Sequence, residues 1–234
     1  MVCILAGGRG TRLGSLTRDR PKAMVEVAGR PFVDHQLSLL RRHGAEKVVL
    51  CLGYRADAVE KHVGDGSRYG LDVRYSHDGL EVAGTAGAVR AALPLLGDEF
   101  MVLYGDTYLR IDYADVVSAF QGSALSALMT VLWNRGRWGA SNVVYRDDRI
   151  VAYNKRQPPQ DAEWIDYGLS MFNREVIERS NESDLGDVQQ RLASQGQLAG
   201  YVATRRFYEI GTPDGLKDTR VFLTPISLEQ AGGP

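Results

Sequence analysis

The chain has 234 residues, of which 44% are hydrophobic and 24% are charged, and its formal net charge is −1 at pH 7. A chain of this length can build one α/β domain with a sizeable core, or two small domains. The near-neutral charge provides no bulk positive field for a nucleic-acid backbone, and no apolar run approaches the roughly 20 residues that span a bilayer. We therefore expect no nucleic-acid partner and no membrane partner.

The two cysteines, Cys3 and Cys51, both stand in apolar, strand-like runs. No charged residue or histidine adjoins either of them, so we expect buried, reduced thiols rather than a nucleophile. Met1 leads directly into the first apolar run, and no secretory signal is visible. These features predict a cytoplasmic protein, in which thiols stay reduced.

Strand-like and helix-like segments alternate in the first half of the sequence. An apolar strand over 2–6 runs into a glycine-rich loop. The following pattern predicts a helix over 32–42, a strand over 46–52, a helix near 55–63, a strand over 71–76, a helix from 84 to about 93 and a strand over 99–104. Repeated β-α units of this size indicate a Rossmann-like α/β fold, with three layers (αβα) and a mainly parallel, mixed sheet.

Strands dominate the second half, which we interpret as a β-rich portion that completes a pocket. The predicted strands cover 125–132, 141–146, 149–154, 165–172, 199–203 and 207–210, and helices are expected near 174–180, 185–194 and 214–222. Residues 224–234 have little apolar content and predict a loose tail. We therefore expect one domain over 1–223. Its first half, about 1–120, alternates strands and helices, and its second half, about 121–223, consists mainly of strands.

The loop over 5–13 reads Leu-Ala-Gly-Gly-Arg-Gly-Thr-Arg-Leu. Its glycines allow backbone amides to approach a phosphate closely, and Arg9, Arg12 and Lys22 add positive charge. Such a loop suits a nucleoside triphosphate better than a neutral metabolite. It is not a P-loop, because Gly-Lys-Ser/Thr is absent, and Leu13 stands where a dinucleotide fingerprint needs its third glycine. A nicotinamide-dependent oxidoreductase is therefore disfavoured.

Ligands of parallel sheets bind beyond the carboxyl ends of the strands. The glycine loop, Gly84-Thr85 and Asp106 all fall at such ends, and Glu209 ends an apolar stretch before Gly211-Thr-Pro213. Two converging carboxylates could hold one Mg²⁺ between the protein and substrate phosphates. Phosphoryl and nucleotidyl transfer need positioned cations more than covalent help from the protein. A turn or helix-capping role is the alternative interpretation of Asp106.

An ordered set of motifs resembles the sugar-1-phosphate nucleotidyltransferases, also called nucleotide-sugar pyrophosphorylases. The resemblance covers roughly residues 2–223. The matching segments are Leu5–Leu13, Pro21-Lys22, Gly29-Arg-Pro31, Gly84-Thr-Ala-Gly87, Gly105-Asp106, Lys155, Asp166-Tyr-Gly168 and Gly211-Thr-Pro213. The resemblance implies that a nucleoside triphosphate and a sugar 1-phosphate give an NDP-sugar and pyrophosphate. In that reaction a sugar-phosphate oxygen attacks the α-phosphorus in line.

The resemblance also implies roles for individual residues, with a nucleotide-binding first half and a sugar-binding second half. The catalytic residues are Arg12 on the β/γ-phosphates, Lys22 on the α-phosphate, and Asp106, which shares Mg²⁺ with Glu209. The nucleotide-binding residues are Leu5, Ala6, Gly7, Gly8, Gly10, Thr11, Glu81, Gly84, Thr85 and Gly105. The sugar-phosphate-binding residues are Asn142, Lys155, Asp166, Tyr167 and Gly168, among which Lys155 grips the phosphate.

Three segments of the sequence depart from the family pattern. Glu209 stands where an aspartate is usual, and the extra methylene leaves metal binding as the expectation. Asn154-Lys155-Arg156 replaces the common Glu-Lys-Pro, which exchanges a charged acceptor for a neutral amide beside the sugar. Ser15 replaces a proline. Sugar recognition is therefore expected to differ from that of the commonest relatives.

The run from Glu81 to Gly87 resembles the mannose and heptose 1-phosphate guanylyltransferases, and the length and the segment Arg30-Pro-Phe32 resemble the heptose enzymes in particular. This resemblance favours GTP with a heptose or hexose 1-phosphate. Thymidylyl, uridylyl or cytidylyl transfer to another sugar 1-phosphate stays open, as does a catalytically silent nucleotide-sugar-binding regulatory subunit. Retention of Arg12, Lys22, Asp106 and a carboxylate at position 209 argues against the silent subunit. A homo-oligomer is compatible with the resemblance, although no sequence feature identifies an interface.

Overall fold

The computed structural model of this chain describes residues 1–77 and 84–231, with side chains described through residue 224. The strands are β1 (Val2–Leu5), β2 (Glu26–Val27), β3 (Arg30–Pro31), β4 (Lys47–Leu52), β5 (Asp72–His77), β6 (Glu99–Tyr104), β7 (Thr107–Tyr108), β8 (Ala127–Trp133), β9 (Val143–Arg146), β10 (Arg149–Tyr153), β11 (Trp164–Asn173), β12 (Leu198–Ala203) and β13 (Tyr208–Glu209). The α-helices are α1 (Phe32–Arg42), α2 (Ala56–Val63), α3 (Gly84–Ala92), α4 (Tyr113–Ser123), α5 (Arg174–Glu178), α6 (Leu185–Ser194) and α7 (Pro213–Ala231). Short 3₁₀ helices cover Thr11–Thr17, Lys22–Met24, Ser67–Tyr69 and Leu93–Leu95.

Nine strands form one sheet in the order β5-β4-β1-β6-β11-β8-β12-β10-β9. The first four are parallel, and in this register Val2 of β1 lies opposite Val48 of β4 and Met101 of β6. β11 is antiparallel to both β6 and β8, and so joins the parallel half to the β-rich half. The predicted α/β class with a mixed sheet is confirmed.

Two apolar layers cover the two faces of this sheet. Strand alternation sends Val2 and Ile4 into the layer formed with α1, α2, α4 and α7, whereas Cys3 points into the layer formed with α3, α5 and α6. The predicted three-layer arrangement follows from this alternation. Cys3 and Cys51 are both buried free thiols, as expected, and their sulfur atoms are 3.4 Å apart. None of the helices in residues 1–77 and 84–231 is both long and apolar enough to cross a membrane.

Several elements differ from the sequence-based expectation, among them the short strands β2, β3 and β7, which the sequence does not predict. Helix α4 was not predicted, although Asp112 caps it by accepting hydrogen bonds from Ala114 N and Asp115 N, and Tyr113, Val116 and Phe120 bury one face. Helix α7 continues to Ala231, whereas a loose tail was predicted from 224. Low apolar content predicted that tail, but Leu, Glu, Gln and Ala in its last residues favour a helix even without burial.

Candidate active site

A cleft of about 330 Å³ opens at the carboxyl ends of β1, β4 and β6. Its lining residues come from the glycine loop, the 3₁₀ helix Lys22–Met24, β4, α3, the end of β6 with the turn after it, and the residue before α6: Leu5, Ala6, Gly7, Gly8, Lys22, Ala23, Cys51, Gly84, Thr85, Ala88, Tyr104, Gly105, Asp106 and Asp184. A larger cavity of about 640 Å³ near Arg42, Tyr108 and Phe222 contains none of the glycine-loop residues. The convergence of the predicted residues, rather than volume, therefore selects the cleft as the candidate site.

Close backbone packing at the end of β6 requires a glycine at position 105. Gly105 N donates a hydrogen bond of 3.0 Å to Leu5 O, and a Cβ at this position would lie only 2.5 Å from that oxygen. Any side chain would push the two strand ends apart. The glycine loop and Asp106 are therefore adjacent because Gly105 allows their strands to end in contact.

The start of α3 forms the opposite wall of the cleft. Ala86 N donates to Ser183 O at 2.8 Å, and Leu185 N donates to Thr85 Oγ1 at the same distance. Asp184 caps α6 by accepting a hydrogen bond from Gly186 N at 2.7 Å. This docking brings Asp184, from the second half of the chain, to the edge of the cleft.

Lys22 and Asp106 form an ion pair inside the cleft. Lys22 Nζ lies 2.5 Å from Asp106 Oδ2, and their side chains are only 13% and 26% exposed. Lys22 begins a short 3₁₀ helix after Pro21, while Asp106 occupies the turn between β6 and β7. Packing of the glycine-loop region against this turn therefore joins two residues that are distant in sequence.

Glu209 reaches the same point through the two-stranded pairing of β7 with β13. Glu209 lies opposite Thr107, and Ile210 N donates to Asp106 O at 2.9 Å. The Glu209 carboxylate accepts hydrogen bonds from Gly211 N and from the backbone and side chain of Thr212. These contacts hold the carboxylate in one orientation at the N-terminal end of α7, where the helix dipole also favours negative charge.

The space beside Gly211 shows how closely these charged groups converge. A Cβ added to Gly211 would lie 2.8 Å from Glu209 Oε2 and 3.1 Å from both Asp106 Oδ2 and Lys22 Nζ. Two carboxylates and one ammonium group therefore face one small volume at the edge of the cleft. The absence of a side chain at Gly211 leaves that volume open.

The two carboxylates suit a divalent cation whose remaining ligands come from substrate phosphates and water. Among the described residues, no group of three or more His, Cys, Asp or Glu could hold a metal ion by itself. Mg²⁺, however, is usually held by one or two carboxylates together with substrate phosphates and water. Asp106 and Glu209 supply two carboxylates, and each keeps lone pairs that the contacts above do not use. The residues present fit Mg²⁺ under that condition.

A second cluster of polar side chains surrounds Asp166, whose side chain is only 3% exposed. Lys155 Nζ lies 3.1 Å from Asp166 Oδ2 and donates to Tyr104 OH at 2.5 Å. Tyr153 OH donates to Asp166 Oδ2 at 3.1 Å. Burial by itself lowers the pKa of Lys155. Asp166 and Tyr104 together raise this pKa by more than burial lowers it, so the net shift is upward and the amine stays protonated. Burial has the opposite effect on Tyr104 and Tyr153: it raises the pKa of both, so their hydroxyls stay protonated.

The backbone around Asp166 holds this cluster in position. Asn142 Oδ1 accepts a hydrogen bond from Asp166 N at 3.0 Å, and Gly168 N donates to Asp166 Oδ1 at 3.0 Å. The pairing of β11 with β8 is irregular between Asp166 and Ser170, which turns the strand locally. Asn142 and Gly168 thus orient Asp166, which in turn orients Lys155.

The family model for "Nucleotidyl transferase" matches residues 1–225 of this chain. The chain belongs to the nucleotidyl transferase family. This membership confirms the family that the ordered motifs indicated.

Several curated members of the family are similar to this chain. The mannose-1-phosphate guanylyltransferase of Mycobacterium tuberculosis is 32% identical, over 90% of this chain and 61% of that protein. The UTP--glucose-1-phosphate uridylyltransferase of Synechocystis is 29% identical, over 82% and 55%. The D-glycero-alpha-D-manno-heptose 1-phosphate guanylyltransferase of Aneurinibacillus thermoaerophilus is 28% identical, over 90% and 93%. The chain spans less than two thirds of the length of the first two relatives.

A solved structure shares the fold over most of the chain. The crystal structure of HddC from Yersinia pseudotuberculosis has a TM-score of 0.79 and 25% sequence identity, and the match covers 95% of this chain and 98% of that one. A second structure of the same protein is a complex with GMP-PN. The nucleotidyl transferase fold is therefore common to both chains.

Some residues that the sequence assigned to the candidate site lie elsewhere or outside the cleft lining. Tyr167 is buried on the opposite face of the sheet, where its hydroxyl accepts a hydrogen bond from Arg110 N at 3.1 Å and burial raises its pKa to about 12. Arg12 is exposed and makes no hydrogen bond or ion pair within the described part of the chain. Gly10 and Thr11 do not line the cleft. Glu81 lies outside the described residues.

Other residues at the cleft or in the Asp166 cluster carried no motif that the sequence analysis used. Tyr104 lines the cleft and directly precedes Gly105-Asp106, while Tyr153 contacts Asp166 and is two residues before Lys155, so strand position alone could have singled them out. Cys51 and Ala88 line the cleft from β4 and α3. Asp184 and its neighbours carry only the signature of a helix cap.

Proposed function

We propose that this protein is a Mg²⁺-dependent nucleotidyltransferase that moves a nucleotidyl group from a nucleoside triphosphate to a sugar 1-phosphate and releases pyrophosphate. The observation that carries this proposal is the convergence of Lys22, Asp106 and Glu209 at the glycine-loop cleft. A second cationic centre, Lys155, contacts Tyr104, which lines the same cleft. A site with two cationic centres suits two phosphorylated substrates.

The chemistry is an in-line displacement at the α-phosphorus. An anionic oxygen of the sugar phosphate forms the new P–O bond, and the bond to the pyrophosphate leaving group breaks. No general base is required, because the attacking oxygen carries no proton at neutral pH. Lys155 binds and orients the sugar phosphate, while Lys22 stabilises the charge that develops on the α-phosphate oxygens.

The remaining groups position the nucleotide. Backbone amides of the glycine loop approach the phosphates, and the exposed Arg12 is free to contact the β/γ-phosphates when nucleotide binds. Asp106 and Glu209 would hold Mg²⁺, which neutralises phosphate charge when bound.

GTP is the nucleotide we favour, and a heptose or mannose 1-phosphate is the sugar substrate. Two of the three similar curated proteins described above are named guanylyltransferases, and the heptose enzyme matches this chain over nearly its whole length. The HddC complex with GMP-PN adds support for a guanine nucleotide. Because one of these relatives is named a uridylyltransferase, UTP is the main alternative to GTP.

A substrate panel tests the proposal directly. Pyrophosphate release would be measured with GTP, UTP, ATP, CTP and dTTP against mannose, glucose and D-glycero-α-D-manno-heptose 1-phosphates, with Mg²⁺ and with EDTA. We expect metal-dependent turnover, fastest with GTP and the heptose or mannose substrate. Turnover with another pair would contradict the specificity but retain the reaction. Nucleotide-sugar binding without turnover of any pair, in folded protein, would instead support a regulatory subunit.

Replacing Tyr104 by phenylalanine should raise KM for the sugar 1-phosphate by about 10- to 100-fold. The change removes a hydroxyl that accepts a hydrogen bond from a charged amine, an interaction worth about 1.5–3 kcal/mol. Tyr153→Phe is the matched control, because Tyr153 contacts Asp166 but does not line the cleft. Steady-state kinetics should show little change in KM for the nucleotide in either variant. Equal effects of both variants on the sugar KM would contradict a direct role for Tyr104.

A further inference from the structure

A buried glutamine on α1 lies behind the turn of residues 104–107, which carries Asp106. Gln36 is only 2% exposed and is followed on the helix by Leu37, Leu39 and Leu40, all of which belong to the apolar layer. A buried amide is costly unless it is hydrogen-bonded. The partners of Gln36 therefore indicate why a polar side chain is tolerated there.

Both hydrogen bonds of the Gln36 amide nitrogen reach the turn that carries Asp106. Gln36 Nε2 donates to Tyr104 O at 3.0 Å and to Thr107 O at 2.8 Å. These carbonyls flank the two residues Gly105 and Asp106. Because both partners are acceptors, only the amide nitrogen can face them, so the side-chain orientation is determined. The turn is thus held at both ends from α1.

The same helix also holds the segment that carries Lys22. At the start of α1, Phe32 N donates to Val25 O at 3.0 Å, and Val25 N donates to Lys22 O at 3.0 Å. The first residue of α1 therefore contacts the end of the Lys22 helix, and Gln36, about one turn later, contacts the Asp106 turn. One rigid helix joins the backbones of both members of the ion pair.

We propose that Gln36 is a positioning residue, which acts through the backbone of the 104–107 turn to hold the Asp106 carboxylate against Lys22 and Glu209. This proposal rests on the proposed function, since it concerns the geometry of the same metal and α-phosphate site. Thr107 Oγ1 donates to Tyr104 O at 3.1 Å and Ile210 N donates to Asp106 O at 2.9 Å. The first of these bonds lies within the turn, and the second joins the turn to the end of β13. Among these contacts, only those of Gln36 join the turn to α1, the helix that also contacts the Lys22 segment.

A second buried glutamine offers a matched control. Gln189 on α6 is also 2% exposed, its Nε2 donates to Ser170 Oγ at 2.8 Å, and its Oε1, like that of Gln36, has no hydrogen-bond partner within the described residues. Gln189 contacts no part of the Asp106 turn through hydrogen bonds. Gln36→Met and Gln189→Met therefore remove the same buried amide with a side chain of similar length, in different layers of the fold.

The experiment compares both variants with the wild-type protein in melting temperature, kinetics and backbone hydrogen exchange. We expect similar losses of melting temperature, but only Gln36→Met should raise the Mg²⁺ concentration for half-maximal rate, by about 10- to 100-fold, as loss of an outer-shell partner does at metal sites. It should also lower kcat more than it changes KM for the sugar 1-phosphate. Faster exchange at the amides of 105–107 should accompany these changes.

Equal metal dependence and equal exchange at 105–107 in the two variants would overturn the positioning role. If Gln36→Met does not fold, Gln36→Leu removes the same two hydrogen bonds with a smaller apolar side chain, and the same three measurements apply. Wild-type protein without metal-dependent turnover would contradict the proposed function instead. The exchange measurement still decides whether Gln36 holds the turn in that case, because it needs no substrate.

Discussion

Replacing Lys22 by alanine is expected to lower turnover about 100- to 1000-fold while the protein remains folded. The ammonium group lies beside Asp106 at the cleft, where it can stabilise charge that develops on the α-phosphate. Removal of one comparable preorganised donor costs about 2.7–4 kcal/mol in the transition state. The loss should appear mainly in kcat, because charge on the phosphate oxygens grows as the reaction proceeds.

Lys47→Ala is the control for this experiment. Lys47 is an exposed lysine at the start of β4, at the opposite end of that strand from the cleft, and its removal should leave the rate unchanged. Melting temperatures of both variants separate a catalytic loss from unfolding. Lys22→Ala with a wild-type rate would refute the role assigned to Lys22.

Replacing Asp106 by asparagine is expected to raise the Mg²⁺ concentration for half-maximal rate by at least about 100-fold. Loss of an outer-shell partner already costs about 10- to 100-fold in metal affinity, so loss of a charged ligand should cost at least as much. The amide keeps the shape of the carboxylate, and the backbone contact from Ile210 N to residue 106 O is unaffected. Partial recovery of rate at high Mg²⁺ would therefore distinguish a metal ligand from a residue that only supports the fold.

Glu209→Gln should show the same direction of change. Asp72→Asn serves as the control, because Asp72 begins β5 at the far end of that strand and its side chain is 46% exposed. Binding of Mn²⁺, measured by electron paramagnetic resonance with a non-hydrolysable nucleotide, gives a readout that is independent of turnover. An Asp106→Asn variant with unchanged metal dependence and unchanged Mn²⁺ binding would exclude Asp106 as a ligand.

Local patterns in the chain were sufficient for the parallel half of the fold. The apolar run of β1 ends in glycines, and the alternation of short strands with amphipathic helices predicted the α/β class, which the structure confirms. Helix α4 was missed although Asp112 carries a clear capping signal. Sequence alone could not define the place of β11 between β6 and β8, because that pairing depends on non-local hydrogen bonds.

Some features of the candidate site could likewise be predicted from the sequence, and others could not. Motifs singled out Lys22, Asp106, Lys155 and Glu209, and these positions stay predictions until their variants are measured. Strand alternation could have separated Tyr167 from Asp166, because neighbouring residues in a strand face opposite sides of a sheet. Burial of the Asp166 carboxylate under Lys155 could not be predicted, since it depends on how β11 packs against its neighbours.

The sequence by itself determined the chemical components of this protein: a glycine loop after a buried strand, cationic residues near it, and carboxylates at strand ends. Each of these depends on local residue type and periodicity. Only the tertiary structure decided their arrangement: Glu209 reaches Asp106 because β13 pairs with β7, and Gln36 reaches the same turn because α1 packs behind it. Contacts between residues far apart in sequence depend on how whole layers pack, and a local pattern does not contain that information.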